Sequence, residues 1–295
     1  MRSIGVAMAS VVIAAHNEEA VIGRTLDALL ASAGELPLEV IVSANGCTDK
    51  TAVAASRPGV TVIDRPEAGK AAALNAGDEA ATSFPRFYLD ADIVVPNGAV
   101  KQILERFAAD PAPLVVVPGR HLAVHGRPWP VRAYFAISER LPAFRDGIFG
   151  RGLIVISEAG RSRFAAFPEL IADDLFLDSQ FAAHERAEVA GVQVVVETPH
   201  TSRDLLNRLA RVRRGNSQLR TASHRGQVST SVRRSDRWAW LRDVVMREPR
   251  LALAAIPYVG FTLTAAIFAR LQARSGAAWG RDESTRKTLV QDGEG

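Results

Sequence analysis

Arg86-Phe87-Tyr88-Leu89-Asp90-Ala91-Asp92-Ile93-Val94-Val95 is an apolar, β-prone run interrupted by two carboxylates one residue apart. Two ionised carboxylates this close repel each other, and a buried strand accepts them only if a cation or hydrogen bonds compensate for the lost water. The strand is therefore expected to stop there, at the mouth of a site that holds a divalent cation. Oxygen ligands of this kind suit magnesium or manganese, which keep several waters and complete their shell with substrate phosphates. A strand-end turn carrying two solvated Asp residues fits the triplet equally well, because Asp-x-Asp is too short to decide alone.

Upstream, the chain repeats one pattern. Val11 to Ala15 is a short apolar run that ends at His16-Asn17-Glu18-Glu19, and apolar residues at Val21, Ile22, Leu26, Leu29 and Leu30 predict a helix after it. Glu39 to Ser43 is a second strand. It leads into Ala44-Asn45-Gly46-Cys47-Thr48-Asp49, where Asn-Gly marks a tight turn and Thr48 or Asp49 caps a helix starting near Lys50. Gly59 to Ile63 is a third strand, followed by Arg65-Pro66-Glu67-Ala68-Gly69-Lys70 and an Ala-rich helix over 71–81. Phe87 to Leu89 is then the fourth strand. Strands alternating with helices at this spacing imply βαβ units, hence a mostly parallel sheet covered on both faces. In such sheets ligands bind beyond the carboxyl ends of the strands. Asn17, Glu18, Asn45, Lys70, Asp90 and Asp92 all fall at that edge and are expected to converge on one crevice. No Gly-x-Gly-x-x-Gly turn follows the first strand, which counts against a dinucleotide oxidoreductase.

Four segments in order, Val12-Ile13-Ala14-Ala15-His16-Asn17-Glu18-Glu19, Val42-Ser43-Ala44-Asn45-Gly46-Cys47-Thr48-Asp49, Gly69-Lys70-Ala71-Ala72-Ala73-Leu74-Asn75 and Leu89-Asp90-Ala91-Asp92, resemble the pattern of glycosyltransferase family 2. The resemblance covers roughly residues 9 to 220. It implies the GT-A fold, a Rossmann-like α/β architecture, and a nucleotide-diphosphate sugar as donor. Where that family commonly has an Asp pair before the turn glycine, this chain has Ala44-Asn45, so any contact to the base is uncharged. Carried onto these positions, the resemblance assigns Ala15, Asn17 and Glu18 to the nucleotide pocket and Asn45 to the vicinity of the base. It places Lys70 near the diphosphate, Asp92 on a Mn2+ or Mg2+ ion, and Asp90 near ribose or metal. A lysine following a glycine also suits a diphosphate on physical grounds, by charge and by close backbone approach; an exposed lysine with no ligand is the alternative.

In the second half, Leu114 to Gly119, the run after Gly150-Arg151-Gly152 as far as Ser157, and Val192 to Glu197 read as strands, and Val131 to Arg140 as a helix. Gly150 and Gly152, just ahead of their strand, permit close approach to a ligand. Asp173-Asp174 sits at an expected helix start, where one acid can cap the helix and favour its dipole. By resemblance the pair supplies a general base for the acceptor hydroxyl, Asp174 first and Asp173 second, in an inverting displacement at the anomeric carbon. His200, after the last strand, is a candidate third metal ligand or a structural loop histidine. Leu205 to Asn216 is a basic helix whose Arg211-x-x-Arg214-Gly215 resembles the family's Gln-x-x-Arg-Trp element with both Gln and Trp replaced. Its guanidinium groups are expected to hold a departing diphosphate.

Charge is unevenly spread. The chain of 295 residues has a formal net charge of +4, but between Thr201 and Arg250 there are thirteen Arg and no Lys against Asp204, Asp236, Asp243 and Glu248. That block favours phosphate-bearing partners, a diphosphate substrate or anionic lipid. Leu251 to Ala269 runs nineteen residues without a charge, long enough to cross a bilayer and equally suited to an interfacial helix or a buried core helix. The expected organisation is a glycosyltransferase domain over 1–220, a basic linker over 221–250, a hydrophobic membrane-associated helix over 251–272 and a polar tail over 273–295. The N-terminus lacks a clear signal-peptide pattern, and the single Cys47 excludes a disulfide framework, so the cytoplasmic side of a membrane is the expected location. Together these features predict a metal-dependent glycosyltransferase acting on a glycan or lipid-linked acceptor at a membrane surface. Two alternatives are a sugar-phosphate nucleotidyltransferase and a non-catalytic module binding phosphate, lipid or nucleic acid. Aromatic platforms for a nucleic acid are sparse in the Arg-rich segment, and no nucleic acid is expected as partner.

Overall fold

Buried on both faces, a strand of a parallel sheet has no polar side to present, and the near-continuous apolar runs of this chain become such strands. A computed structural model describes residues 9–109, 112–170, 172–226, 228 and 236–275. The N-terminal residues before Ala9, residues 229–235 of the expected linker and the expected polar tail from residue 276 onward lie outside the described residues.

The first unit comprises Met1–His121, Gly150–Glu169 and Gln180–Val196. Its strands are β1 (Ala9–Ala15), β2 (Leu38–Asn45), β3 (Val60–Arg65), β4 (Arg86–Asp90), β5 (Val115–Ala123), β6 (Leu153–Ile156) and β7 (Arg186–Glu197), in the order β3-β2-β1-β4-β6-β5-β7. β1 pairs in parallel with β2 and β4, and β2 with β3, whereas β6 runs antiparallel to both β4 and β5. The β3-β2-β1-β4 part is the parallel sheet expected, and the antiparallel β6 makes the whole mixed; α1 (Ile22–Ala33), α2 (Thr51–Ala55), α3 (Lys70–Ala80) and α4 (Ala99–Ala108) lie around it. Ile22, Leu26, Leu29 and Ala33, at spacings of three and four, bury one stripe of α1, while Leu30 is only half-buried. Among the described residues, α4 is a helix that the sequence reading left out; its Val100 and Ile103 are fully buried.

The second unit comprises Leu122–Phe149, Leu170–Ser179 and Glu197–Gly295. It holds α5 (Trp129–Ser138), the short α6 (Pro142–Asp146), α8 (Asp173–Gln180, after the one-turn α7 at Glu158–Arg161 of the first unit), α9 (Ser202–His224) and α10 (Ala252–Ser275). Val131, Tyr134, Phe135 and Leu205 form its core with Leu209, Tyr258 and Phe261. The basic helix is longer than predicted. It continues to His224, into what reads as linker, because Leu219 and Ala222 stay buried along the same face. A π-helical turn over Trp240–Val245 and a 3-10 turn over Pro249–Leu251 also lie in the expected linker.

Candidate active site

Strand β4 ends at Asp90, and the turn that follows separates apolar from acidic side chains. Ala91 and Ile93 point inward, 5% and 3% exposed, while Asp92 is exposed and Asp90 half-exposed. Three hydrogen bonds hold this turn. Asp90 N donates to Gly152 O at 2.8 Å, Ile93 N to Asp90 O at 3.2 Å, and Thr25 Oγ1 of α1 to Ala91 O at 2.8 Å. The carboxylates therefore stand on a fixed backbone, a requirement for any preorganised cation or ligand site.

Lys70 opens α3, and its Nζ lies 2.9 Å from Asp90 Oδ1. A lysine and a carboxylate contributed by different elements thus meet at the carboxyl edge of β4. The Gly69 ahead of it has an extended φ of 170°, and a Cβ there would meet nothing closer than 3.6 Å. Backbone strain does not require this glycine.

The neighbouring loops after β1 and β2 are tied to each other. Asn17 sits in the left-handed region at φ 54°, and its Oδ1 accepts from Thr48 N at 2.8 Å. Glu18 N donates to Thr51 Oγ1 at 2.7 Å, Glu19 N to Asp49 Oδ2 at 3.1 Å and Lys50 N to Glu19 Oε2 at 3.0 Å. Neither candidate cap stands at the N-cap of α2, which is Lys50 and makes no side-chain cap bond; Asp49, one residue earlier, accepts from Thr51 N through Oδ1 at 3.0 Å. Burial alone raises the Asp49 pKa, but the Thr51 hydroxyl and the amides of Glu19 and Thr51 outweigh it and hold the carboxyl below its ordinary range. Gly46 is required twice over: its φ is 55°, and a Cβ would come within 2.6 Å of Ala68 Cβ and 2.7 Å of Ala68 N.

Asn45 is 2% exposed and bridges three elements. Its Nδ2 donates to Ala15 O at 2.7 Å, and its Oδ1 accepts from Gly69 N at 2.9 Å. A backbone carbonyl can only accept and an amide N–H only donate, so the orientation of this carboxamide is unambiguous. Ala15 itself is fully buried and Glu18 is 9% exposed. Ala15, Asn17, Glu18, Asn45, Lys70, Asp90 and Asp92 are all brought to the carboxyl edge of β1, β2 and β4 as expected, but Ala15 and Asn45 are enclosed by protein there.

Two residues that brace these elements, Thr25 and Asp78, were not read from the sequence, and Gly152 was read there only for closeness to a ligand. Gly152 has φ 69°, and a Cβ on it would lie 2.3 Å from Ile93 Cγ1. The close approach found here is to the acidic turn itself. Thr25 is fully buried on the apolar face of α1, and a hydroxyl in that position needs a partner, which was the available signal. Asp78, 6% exposed on α3, binds Arg86 Nη1 at 2.5 Å and Tyr88 OH at 2.8 Å, and also pairs with Arg161 Nε, joining α3, β4 and α7. Burial beside that carboxylate raises the Tyr88 phenol far above its ordinary value and keeps it a donor.

The remaining predicted residues belong to the second unit. Asp173 and Asp174 form the first turn of α8 and are half-buried. One turn on, Asp178 is 2% exposed and accepts from Ile148 N at 3.0 Å. Arg211 and Arg214 lie one turn apart on α9, both half-buried. Arg127 Nη1 lies 3.1 Å from His200 Nδ1, while the same guanidinium binds Thr198 O at 3.1 Å and Glu197 Oε2 at 2.7 Å. Arginine can only donate, so Nδ1 accepts in this contact. This contact engages Nδ1 of His200, the residue expected as a third metal ligand. Among the described residues, no group of three or more His, Cys, Asp or Glu side chains is placed to hold a metal ion on its own.

A sequence model described as Glycosyl transferase family 2 matches residues 10–157. Solved structures with a similar fold include a mannosyltransferase from Pyrobaculum calidifontis in complex with GDP-Man and Mn2+, at 22% identity and TM-score 0.58, covering 92% of this chain and 76% of that one. TarS of S. aureus, residues 1–349, in complex with UDP-GlcNAc is 14% identical with TM-score 0.51, covering 92% and 93%. Glucosyl-3-phosphoglycerate synthase from Mycobacterium tuberculosis, with Mn2+, UDP and glucosyl-3-phosphoglycerate, is 19% identical with TM-score 0.53, covering 76% and 82%. No curated protein sequence matches this chain. At these identities the likeness establishes the fold.

Proposed function

The chain belongs to glycosyl transferase family 2, and from that premise we propose that it transfers a sugar from a nucleotide-diphosphate donor to an acceptor hydroxyl, with inversion and with help from a divalent cation. Membership makes it a glycosyltransferase and sets aside both the nucleotidyltransferase and the non-catalytic readings. The observation that carries the donor assignment is the meeting of Lys70 with Asp90, beside the exposed Asp92, at the carboxyl edge of the sheet.

The donor set suits a hard cation. Asp92 and Asp90 supply carboxylate oxygens without nitrogen or sulfur, and a pair of carboxylates completed by substrate phosphates is a magnesium or manganese pattern. Bound there, the cation would neutralise charge on the departing diphosphate. Lys70 exchanges its contact with Asp90 for the diphosphate and adds a point charge to it. Asn17 and Glu18 line the nucleotide pocket, and Asn45 acts on it from behind, by holding the ends of β1 and α3. Arg211 and Arg214 hold the diphosphate as it leaves. Asp174 accepts the proton of the acceptor hydroxyl as the new C–O bond forms and the bond to the diphosphate oxygen breaks; Asp173, beside it in the first turn of α8, suits the helix dipole and is the second candidate for the base.

We further assign the acceptor to glycan or lipid-linked precursors at the cytoplasmic side of a membrane, with the apolar C-terminal helix as the attachment. The test is a panel of nucleotide sugars with and without manganese, read by thermal shift and by release of nucleoside diphosphate. Stabilisation by one donor that depends on the metal is the expected result. Stabilisation by none, or nucleotide binding indifferent to Asp92→Asn and Lys70→Ala, refutes the assignment. Asp174→Asn is expected to keep donor binding while losing at least about a hundredfold in transfer, the scale of a general base.

A further inference from the structure

Leu253, Ile256, Leu263, Ile267 and Leu271 are between 54% and 71% exposed and, with the exposed Gly260, recur every three or four residues along α10. They form one continuous outward row. On the opposite side Ala255 and Ala265 are buried at 8% and 0%, and Tyr258 stacks on Tyr134 of α5 with ring centroids 5.3 Å apart while Phe261 meets the same ring edge-on at 6.1 Å. The helix is thus held by the fold along one face and unpartnered by any described residue along the other. Scattered exposed leucines are ordinary, but a contiguous apolar row of this length marks an interaction surface.

We propose that α10 lies in the plane of an anionic bilayer surface, with its outward row among the acyl chains and its inward row still docked on α5 and α9. This deepens the membrane attachment proposed above by naming its geometry. Nineteen uncharged residues would reach across a bilayer if the helix stood upright. Standing upright, however, would either strip Tyr258, Phe261 and Ala265 from their partners or draw α9, with Arg208, Arg211, Arg213 and Arg214, into hydrocarbon. Lying flat keeps the packing and leaves the arginines wet.

Charge selects lipid over a second copy of the chain. The uncharged row is bounded by Arg247 and Arg250 at one end and Arg270 at the other, all exposed, and Trp238 stands 55% exposed near the first end with Arg237 over its ring. The acids at that end are engaged: Glu248 with Arg140 and Arg250, Asp236 and Asp243 with Arg242. Two copies meeting row to row would set Arg against Arg at both ends in either orientation, whereas phosphate headgroups answer that charge and interfacial Trp suits the same depth.

The experiment is vesicle flotation of the whole chain, with phosphatidylcholine alone or mixed equally with phosphatidylglycerol, alongside Ile256→Asp/Ile267→Asp. Both sites are exposed, so the variant's thermal midpoint and its donor-dependent turnover in solution should match wild type. Wild type should float with the anionic vesicles, lose that association in high salt and come off in alkaline carbonate; the variant should lose about tenfold or more in vesicle partition. Flotation that resists carbonate extraction means a spanning helix and overturns the flat geometry while leaving membrane attachment standing. Absence of flotation refutes attachment itself, and a dimer in sedimentation that the double variant splits assigns the row to a second copy. None of these results bears on sugar transfer, which the solution turnover reads separately.

Discussion

Asn45→Asp changes one side-chain NH2 to an oxygen, yet the structure makes it a severe substitution. The bond from Gly69 N survives, since an oxygen still accepts there. The 2.7 Å contact to Ala15 O does not, because two acceptors now face each other in a site that is 2% exposed. Leaving a buried carbonyl without its donor costs about 1–3 kcal/mol, and burying the carboxylate charge adds a penalty of order several kcal/mol that the Gly69 amide only partly offsets. The variant can escape by protonating the new carboxyl so that it donates to Ala15 O, which raises its folded pKa above the unfolded value of about 3.9. A raised folded pKa means stability that is present below the unfolded pKa and lost as pH rises through the folded one. The variant should therefore be about 1 kcal/mol less stable than wild type near pH 4 and about 3 kcal/mol less stable at pH 8. Asn45→Ala should show a deficit that does not vary with pH. Urea unfolding across that range measures both, and calorimetric titration of nucleotide should show weaker binding by Asn45→Asp, because the start of α3 at Gly69-Lys70 is no longer tied to β1. Wild-type stability of Asn45→Asp at pH 8, or a deficit equal at both pH values, would refute the reasoning.

Asp92→Asn should leave the thermal midpoint unchanged, since the side chain is exposed, and abolish manganese-dependent binding of the donor by calorimetry. Gly152→Ala should destabilise the protein by about 1–3 kcal/mol, the range for a strained left-handed residue, and also impair turnover, because Ile93 must move and the acidic turn moves with it; full activity with a normal unfolding curve would contradict this. Glu185 is held at about 2, chiefly by the Arg163 guanidinium bonded to it, against an ordinary value of 4.5. Its depressed folded pKa contributes stability above about pH 4.5 that disappears as pH falls toward 2; Glu185→Gln should flatten that part of the acid-unfolding profile, and an unchanged profile would remove the pair from the account.

Local chemistry made the parallel half of the fold and the edge of its site readable without coordinates. An apolar run that meets Asn17, Asn45 or Asp90 must leave the sheet where the polar group needs water or a partner, so the strand ends and the polar edge coincide. The same rule placed Lys70 and both acids at one edge of the sheet. Only tertiary structure could decide what those groups touch. Asn45 reads as a base contact in sequence and proves to be enclosed between Ala15 and Gly69, since which carbonyl it faces depends on the pairing of β1 with β2. Gly152 precedes a strand that turns out antiparallel to β4, and that pairing brings it against Ile93. His200 meets Arg127, a partner 73 residues away. The nineteen uncharged residues of the C-terminal helix set a length and an apolar character, which a span, a core helix and a surface helix share. Tyr134 stacked on Tyr258 shows that one face of α10 is packed within its unit, a relation between distant segments that no local periodicity records.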